Sequence, residues 1–192
     1  MKDVKRLVII ALLSGLAVVI YAAESFIPTP SPWLRLGFSH IITLFALLFF
    51  GAPTAFMVFC IRTFVGSLII GKLFSPTFIL GFVGGAAALA AMAVMLELLR
   101  GRWFSVIGIS VAGAWINNVV QVVLAYLVFV RHPDIFLILP AFGLFALGTG
   151  IVNGIAVYYL QRYAVAALGL KPRFAVWSDL NGPEEGCAQG AR

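Results

Sequence analysis

Six unbroken apolar runs, at about 7–23, 37–51, 53–70, 77–96, 105–130 and 135–160, take up most of this 192-residue chain. In hydrocarbon every backbone N–H and C=O must be paired within the protein, so only helices and closed barrels span a bilayer. A barrel needs strands that alternate apolar and polar residues, whereas these runs are continuous and close to the ~20 residues with which a helix crosses ~30 Å. The pattern predicts an all-α integral membrane protein, a bundle of six transmembrane helices. Composition agrees: 62% of residues are hydrophobic, 10% are charged and mean hydropathy is +1.09, which excludes an ordinary soluble domain. Leu7 to Ala23 is long enough to span and runs into Glu24 and a proline-rich stretch, so it reads as the first helix and not as a cleaved signal peptide.

Gly51-Ala52-Pro53, Gly71 to Pro76 and Arg131 to Asp134 make short connections, which predict antiparallel neighbours. With the N-terminus inside, that side gathers nine of the thirteen Lys and Arg, at 2, 5, 6, 100, 102, 162, 171, 173 and 192, and the outer side holds Arg35, Lys72 and Arg131. This bias predicts an N-in/C-in topology. It also accounts for the net charge of +6 without nucleic acid as a partner. Residues 1–168 form the transmembrane domain, and 169–192, where the apolar pattern stops, read as a flexible cytoplasmic tail. Phe26 to Trp33, stiffened by Pro28, Pro30 and Pro32, reads as an outer lid.

Arg62 lies inside the third run. A charge at that depth costs roughly 2.5–3.5 kcal/mol on insertion scales, so its presence calls for a partner or a ligand. At ~1.5 Å per residue Arg62 lies roughly 14 Å from the inner face, Asn117 about 18 Å and Asn153 about 14 Å. Gln121 comes one turn further out than Asn117, His40 and Thr43 lie in the outer half of the second run, and Glu24 ends the first. The spacing of Asn117, Asn118 and Gln121 brings them towards one helix face. Groups of this kind often fasten helices to one another, but their shared depth on separate helices predicts an outward-opening cavity that binds a small molecule. Arg62 then anchors an anionic or carbonyl group, and His40, Asn117, Asn118, Gln121, Glu24 and Asn153 line the site. The small-xxx-small pairs at 81/85, 84/88, 108/112 and 150/154 predict close helix packing, and Ala11 with Gly15 predicts a docking face for a membrane partner.

Several chemistries leave no trace. Asp3, Asp134 and Asp179 are the only aspartates, so the paired acids that hold Mg²⁺ and a diphosphate are missing. His40 and His132 are the only histidines, and no zinc or catalytic-triad spacing occurs. Gly81 to Gly85 lacks the P-loop lysine. The expectation is a chain that is not an enzyme and takes no cofactor, with any energy for transport supplied elsewhere. Cys60 and Cys187 are too isolated to suggest a disulfide.

Taken in order, Glu24, Pro28, Pro30, Leu36 to Leu44, Arg62-Thr63, Gly71 to Phe78, Gly84-Gly85, Gly108 to Ser110 and Gly113 to Gln121 resemble the membrane family labelled heptaprenyl diphosphate synthase component I, also called the Gx transporter family. The resemblance covers roughly 7–165. That family is similar to the substrate-binding S components of energy-coupling factor transporters. The resemblance implies a six-helix subunit of a bacterial inner (cytoplasmic) membrane that captures a micronutrient from outside, with a coupling transmembrane subunit and ATPase subunits as partners. It also implies a lid at Phe26 to Trp33 and docking through Ala11 and Gly15. The alternatives are an enzyme or accessory subunit of polyprenyl diphosphate metabolism, marked by a groove open to lipid, and a purely structural partner, in which Arg62 pairs with Glu24.

Overall fold

The computed structural model describes residues 2–26, 37–98, 105–130, 132–168 and 172–174. The expected lid beyond Phe26 and most of the expected tail lie outside the described residues. Among the described residues the fold is helical, with α1 at Lys2–Glu24, α2 at Ser39–Phe50, α3 at Ala52–Ile69, α4 at Pro76–Leu98, α5 at Val106–Ala125 and α6 at Leu139–Leu168. A π-helical turn, Tyr126–Val130, prolongs α5, and a 3₁₀ turn, Pro133–Ile138, leads into α6.

Helix starts follow local chemistry. Ser75 Oγ accepts from Phe78 N at 3.2 Å ahead of Pro76, and Ser105 Oγ accepts from Gly108 N at 3.1 Å. Each hydroxyl pairs one of the amides that a helix N-terminus leaves open. Between α2 and α3 only Gly51 intervenes, at φ +85°, a left-handed conformation that costs glycine little and side-chain-bearing residues much more.

Among the described residues five helices are long and apolar enough to cross a membrane, and α2 is not. Its 12 residues reach about 18 Å, short of a ~30 Å hydrocarbon core. This is a departure from six full spans. The reason is burial: Ile42 through Phe49 are all buried, and α2 packs against α1, α3, α4 and α6. Its surroundings are protein, so bilayer thickness does not set its length. Outward residues such as Leu12, Leu16, Phe56, Phe64 and Leu68 are exposed and apolar, as lipid contact requires. Other boundaries differ at the membrane faces, where α1 begins five residues before the apolar run and α6 continues eight beyond it.

The most extensive helix contact is between α5 and α6. A Cβ on Gly150 would fall 2.7 Å from Val111 Cα, and one on Gly154 2.6 Å from Ile107 Cα. Backbones approach this closely only where one carries no side chain, which is how helices associate where lipid is as apolar as their own surfaces. On the opposite side Tyr21 OH meets Ser67 Oγ at 2.8 Å and joins α1 to α3.

Of the expected tail, Pro172–Phe174 are described, and they meet the C-terminal end of α2. Arg173 N and Phe174 N donate to Leu48 O at 2.9 and 3.4 Å, pairing a carbonyl that the helix end leaves open. Ending the chain before Pro172 is expected to cost about 1 kcal/mol of stability in thermal unfolding in detergent, while ending it after Phe174 leaves stability unchanged. Gly154→Leu is expected to destabilise by about 1–3 kcal/mol through overpacking. Gly148→Ala, with nothing within 4 Å of its Cβ, serves as the neutral control.

Candidate functional site

Arg62 sits on the inward face of α3 and is 2% exposed. Its guanidinium carbon lies 5.2 Å from the ring centroid of Phe59, one turn earlier, a favourable cation–π arrangement once desolvated. Its Nη2 lies 3.2 Å from Nδ1 and 3.5 Å from Nε2 of His40. A guanidinium only donates, so the imidazole accepts. Near-equal distances to both ring nitrogens place Nη2 over the ring and not on a single lone pair. The cation is thus held against two rings contributed by α2 and α3.

Beside it lies a cavity of about 30 Å³, the arginine chamber, with Tyr21, Glu24, Thr63, Asn117 and Gln121 also in its wall. That volume admits about two waters. Glu24, at the end of α1, accepts from Ser39 N through Oε1 at 3.1 Å. The carboxylate therefore caps α2, where open amides and the helix dipole both favour negative charge.

A second cavity, also about 30 Å³, lies deeper between α2, α4, α5 and α6. Asn118, Thr149, Asn153 and Ser110 supply its polar wall, and Leu44 and Met92 supply apolar wall. We call it the amide chamber. His40, Gly37 and Asn117 line both cavities, so the two meet along the imidazole. Gln121 Nε2 donates to Asn117 Oδ1 at 3.1 Å, Asn118 Nδ2 to Phe142 O at 3.0 Å and Asn153 Nδ2 to Gly37 O at 3.1 Å.

Of the residues expected from sequence, Arg62, Glu24 and Gln121 line the arginine chamber, Asn118 and Asn153 the amide chamber, and His40 and Asn117 both. The single face expected for Asn117, Asn118 and Gln121 divides: Asn118 turns to α6, while Asn117 and Gln121 face Gly84 of α4. Thr43 lines neither chamber and donates to Ser39 O at 3.4 Å. Ala11 and Gly15 are exposed on α1, and nothing stands within 4 Å of a Cβ built on Gly15. Tyr21, Ser110 and Thr149 were missed by sequence reasoning. Tyr21 lies three residues before Glu24 and Thr149 four before Asn153, the helical spacing that would have placed each beside a residue already singled out. Among the described residues no group of three or more His, Cys, Asp or Glu stands close enough to hold a metal ion. Among the described residues the walls offer one cation, Arg62, one carboxylate, Glu24, which is engaged at the start of α2, and a set of neutral donors and acceptors, which suits an organic ligand.

No curated protein and no solved structure matches the chain. A protein-family model matches it over residues 13–160, most of its length and every helix that contributes to the two chambers. The chain belongs to the family described as heptaprenyl diphosphate synthase component I.

Proposed function

We propose that the protein is the membrane-embedded, substrate-binding subunit of an uptake system for a small solute, similar in plan to the S components of energy-coupling factor transporters. The observation that carries this reading is the convergence of Arg62, His40, Asn117, Asn118, Gln121, Glu24 and Asn153 on two adjoining cavities inside an apolar bundle. In an N-in/C-in arrangement in a bacterial cytoplasmic membrane, the end where α1 stops and α2 begins faces outward; the arginine chamber lies towards it, and the amide chamber runs inward from His40 to Met92 and Ser110. Arg62 then anchors a carboxylate or carbonyl oxygen through its planar fork of donors. The exposed small residues Ala11 and Gly15 give a coupling transmembrane subunit room to approach α1, and ATPase subunits on that partner supply the energy.

The family's description favours a second reading, an accessory subunit in polyprenyl diphosphate synthesis. The chain itself lacks paired aspartates for a magnesium diphosphate, so in that reading the chemistry falls to a partner. The two readings separate on what co-purifies: native mass spectrometry of the protein is expected to show a small polar molecule, whereas a bound polyprenyl diphosphate turns the assignment to the second.

Two substitutions test the roles. Arg62→Gln is expected to weaken binding of the co-purified molecule about 10- to 100-fold, the worth of one charged hydrogen bond, and an unchanged dissociation constant removes Arg62 as anchor. Gly15→Leu is expected to abolish co-purification with the coupling subunit while leaving the unfolding temperature of the isolated chain unchanged. Retained association removes α1 as the docking face.

A further inference from the structure

We propose that the amide chamber selects an uncharged N–H donor group, so that the ligand carries a ureido, amide or amino-heterocycle end there and a carboxylate or carbonyl end at Arg62. This rests on the reading that the two chambers hold one solute, and it adds the chemical class of that solute.

Three polar side chains in the wall of the amide chamber, Asn153, Asn118 and Thr149, commit their donors to main-chain carbonyls, and one of them leaves a buried acceptor over. Asn153 is 5% exposed, and its Nδ2 donates to Gly37 O at 3.1 Å. The opposite amide orientation would set Oδ1 against that carbonyl, two acceptors face to face, so the assignment is fixed by its partner. Asn153 Oδ1 is thereby left buried with no hydrogen-bond partner among the described residues, a state that native interiors rarely tolerate unless something else satisfies the atom. Asn118 repeats the arrangement: it is 7% exposed, and its Nδ2 is committed to Phe142 O at 3.0 Å. Thr149 spends its hydroxyl proton on Phe145 O at 3.0 Å. In each case the donor goes to a main-chain carbonyl, and all three residues line the same chamber, with Asn153 Oδ1 the oxygen among them that is buried without a partner.

Charge decides which donor fits. Among the described residues the wall of the amide chamber carries no acidic side chain, and Arg62 stands just across His40. An ammonium or guanidinium would be buried without a countercharge and beside a like charge, which is costly. A neutral N–H group satisfies the same oxygens without that penalty. Its acceptor or anionic end then reaches Arg62 through the junction at His40 and Asn117, which both chambers share.

The test uses two probes of one shape. N-carbamoylglycine and 4-oxopentanoate share a carboxylate and a carbonyl and differ in NH₂ for CH₃ and NH for CH₂. Isothermal titration of each into the full chain in detergent is expected to show N-carbamoylglycine binding at least about tenfold more tightly, because a site built for N–H groups rejects an isostere that lacks them. Asn153→Leu and Asn118→Leu are expected to bring the ratio towards one, and Arg62→Gln to weaken both probes while leaving the ratio. Equal affinities overturn the proposal, as they would if water alone satisfied the oxygens, and so does binding of neither probe to folded wild-type protein. The wild-type ratio needs no variant, so a variant that fails to fold does not decide the matter. Equal but Arg62-dependent binding removes the donor selectivity and leaves solute capture standing. Loss of partner association removes the transport reading and leaves the ratio untouched.

Discussion

A guanidinium that is 2% exposed inside a bundle with apolar outer faces has to be solvated by protein, because neither water nor lipid headgroups surround it. Phe59 covers it from its own helix and His40 meets it from α2. That second contact requires α2 to begin where it does. Glu24 of α1 caps the start of α2 through Ser39 N, and Asn153 of α6 holds the carbonyl of Gly37 just before it. The electrostatic demand of one side chain on α3 is thus met by positioning contacts from α1, α2 and α6.

The same demand explains the unusual second helix. Enclosed by four others, α2 takes its length from what it must place at each end: His40 and the open amides at one, the carbonyl of Leu48 at the other. Arg173 and Phe174 pair that carbonyl, so both ends of the enclosed helix are satisfied by distant parts of the chain. The tight seam between α5 and α6, made by Gly150 and Gly154, fixes Asn118 against Phe142 O and leaves the polar wall of the deeper cavity between them.

The helical, membrane-embedded character of the fold was legible in the sequence, since five of the apolar runs are helices long and apolar enough to span, and the residues singled out by depth, Arg62, Asn117 and Asn153, line the two cavities. Two things were not. The shortness of α2 depends on enclosure, and an enclosed helix and a lipid-facing one present the same apolar run. The division of the site into two chambers depends on side-chain direction: Asn117 and Asn118 are adjacent in sequence but point to different neighbours, α4 and α6. Tyr21 and Thr149 carried a usable signal in their spacing to Glu24 and Asn153, whereas nothing distinguishes Ser110 from any serine that faces a neighbouring helix.

The single-residue link at Gly51 has a mechanical consequence. His40 lies eleven residues before it and Arg62 eleven after, so two helical arms of nearly equal length, about 16 Å each, leave one glycine and meet again where the imidazole touches the guanidinium. With arms of that length an error of about 10° in the angle at Gly51 would displace the tips by roughly 3 Å, so the contact between guanidinium and imidazole depends on the geometry of one glycine. Arg173, packed against Gly51, braces that link from outside the hairpin.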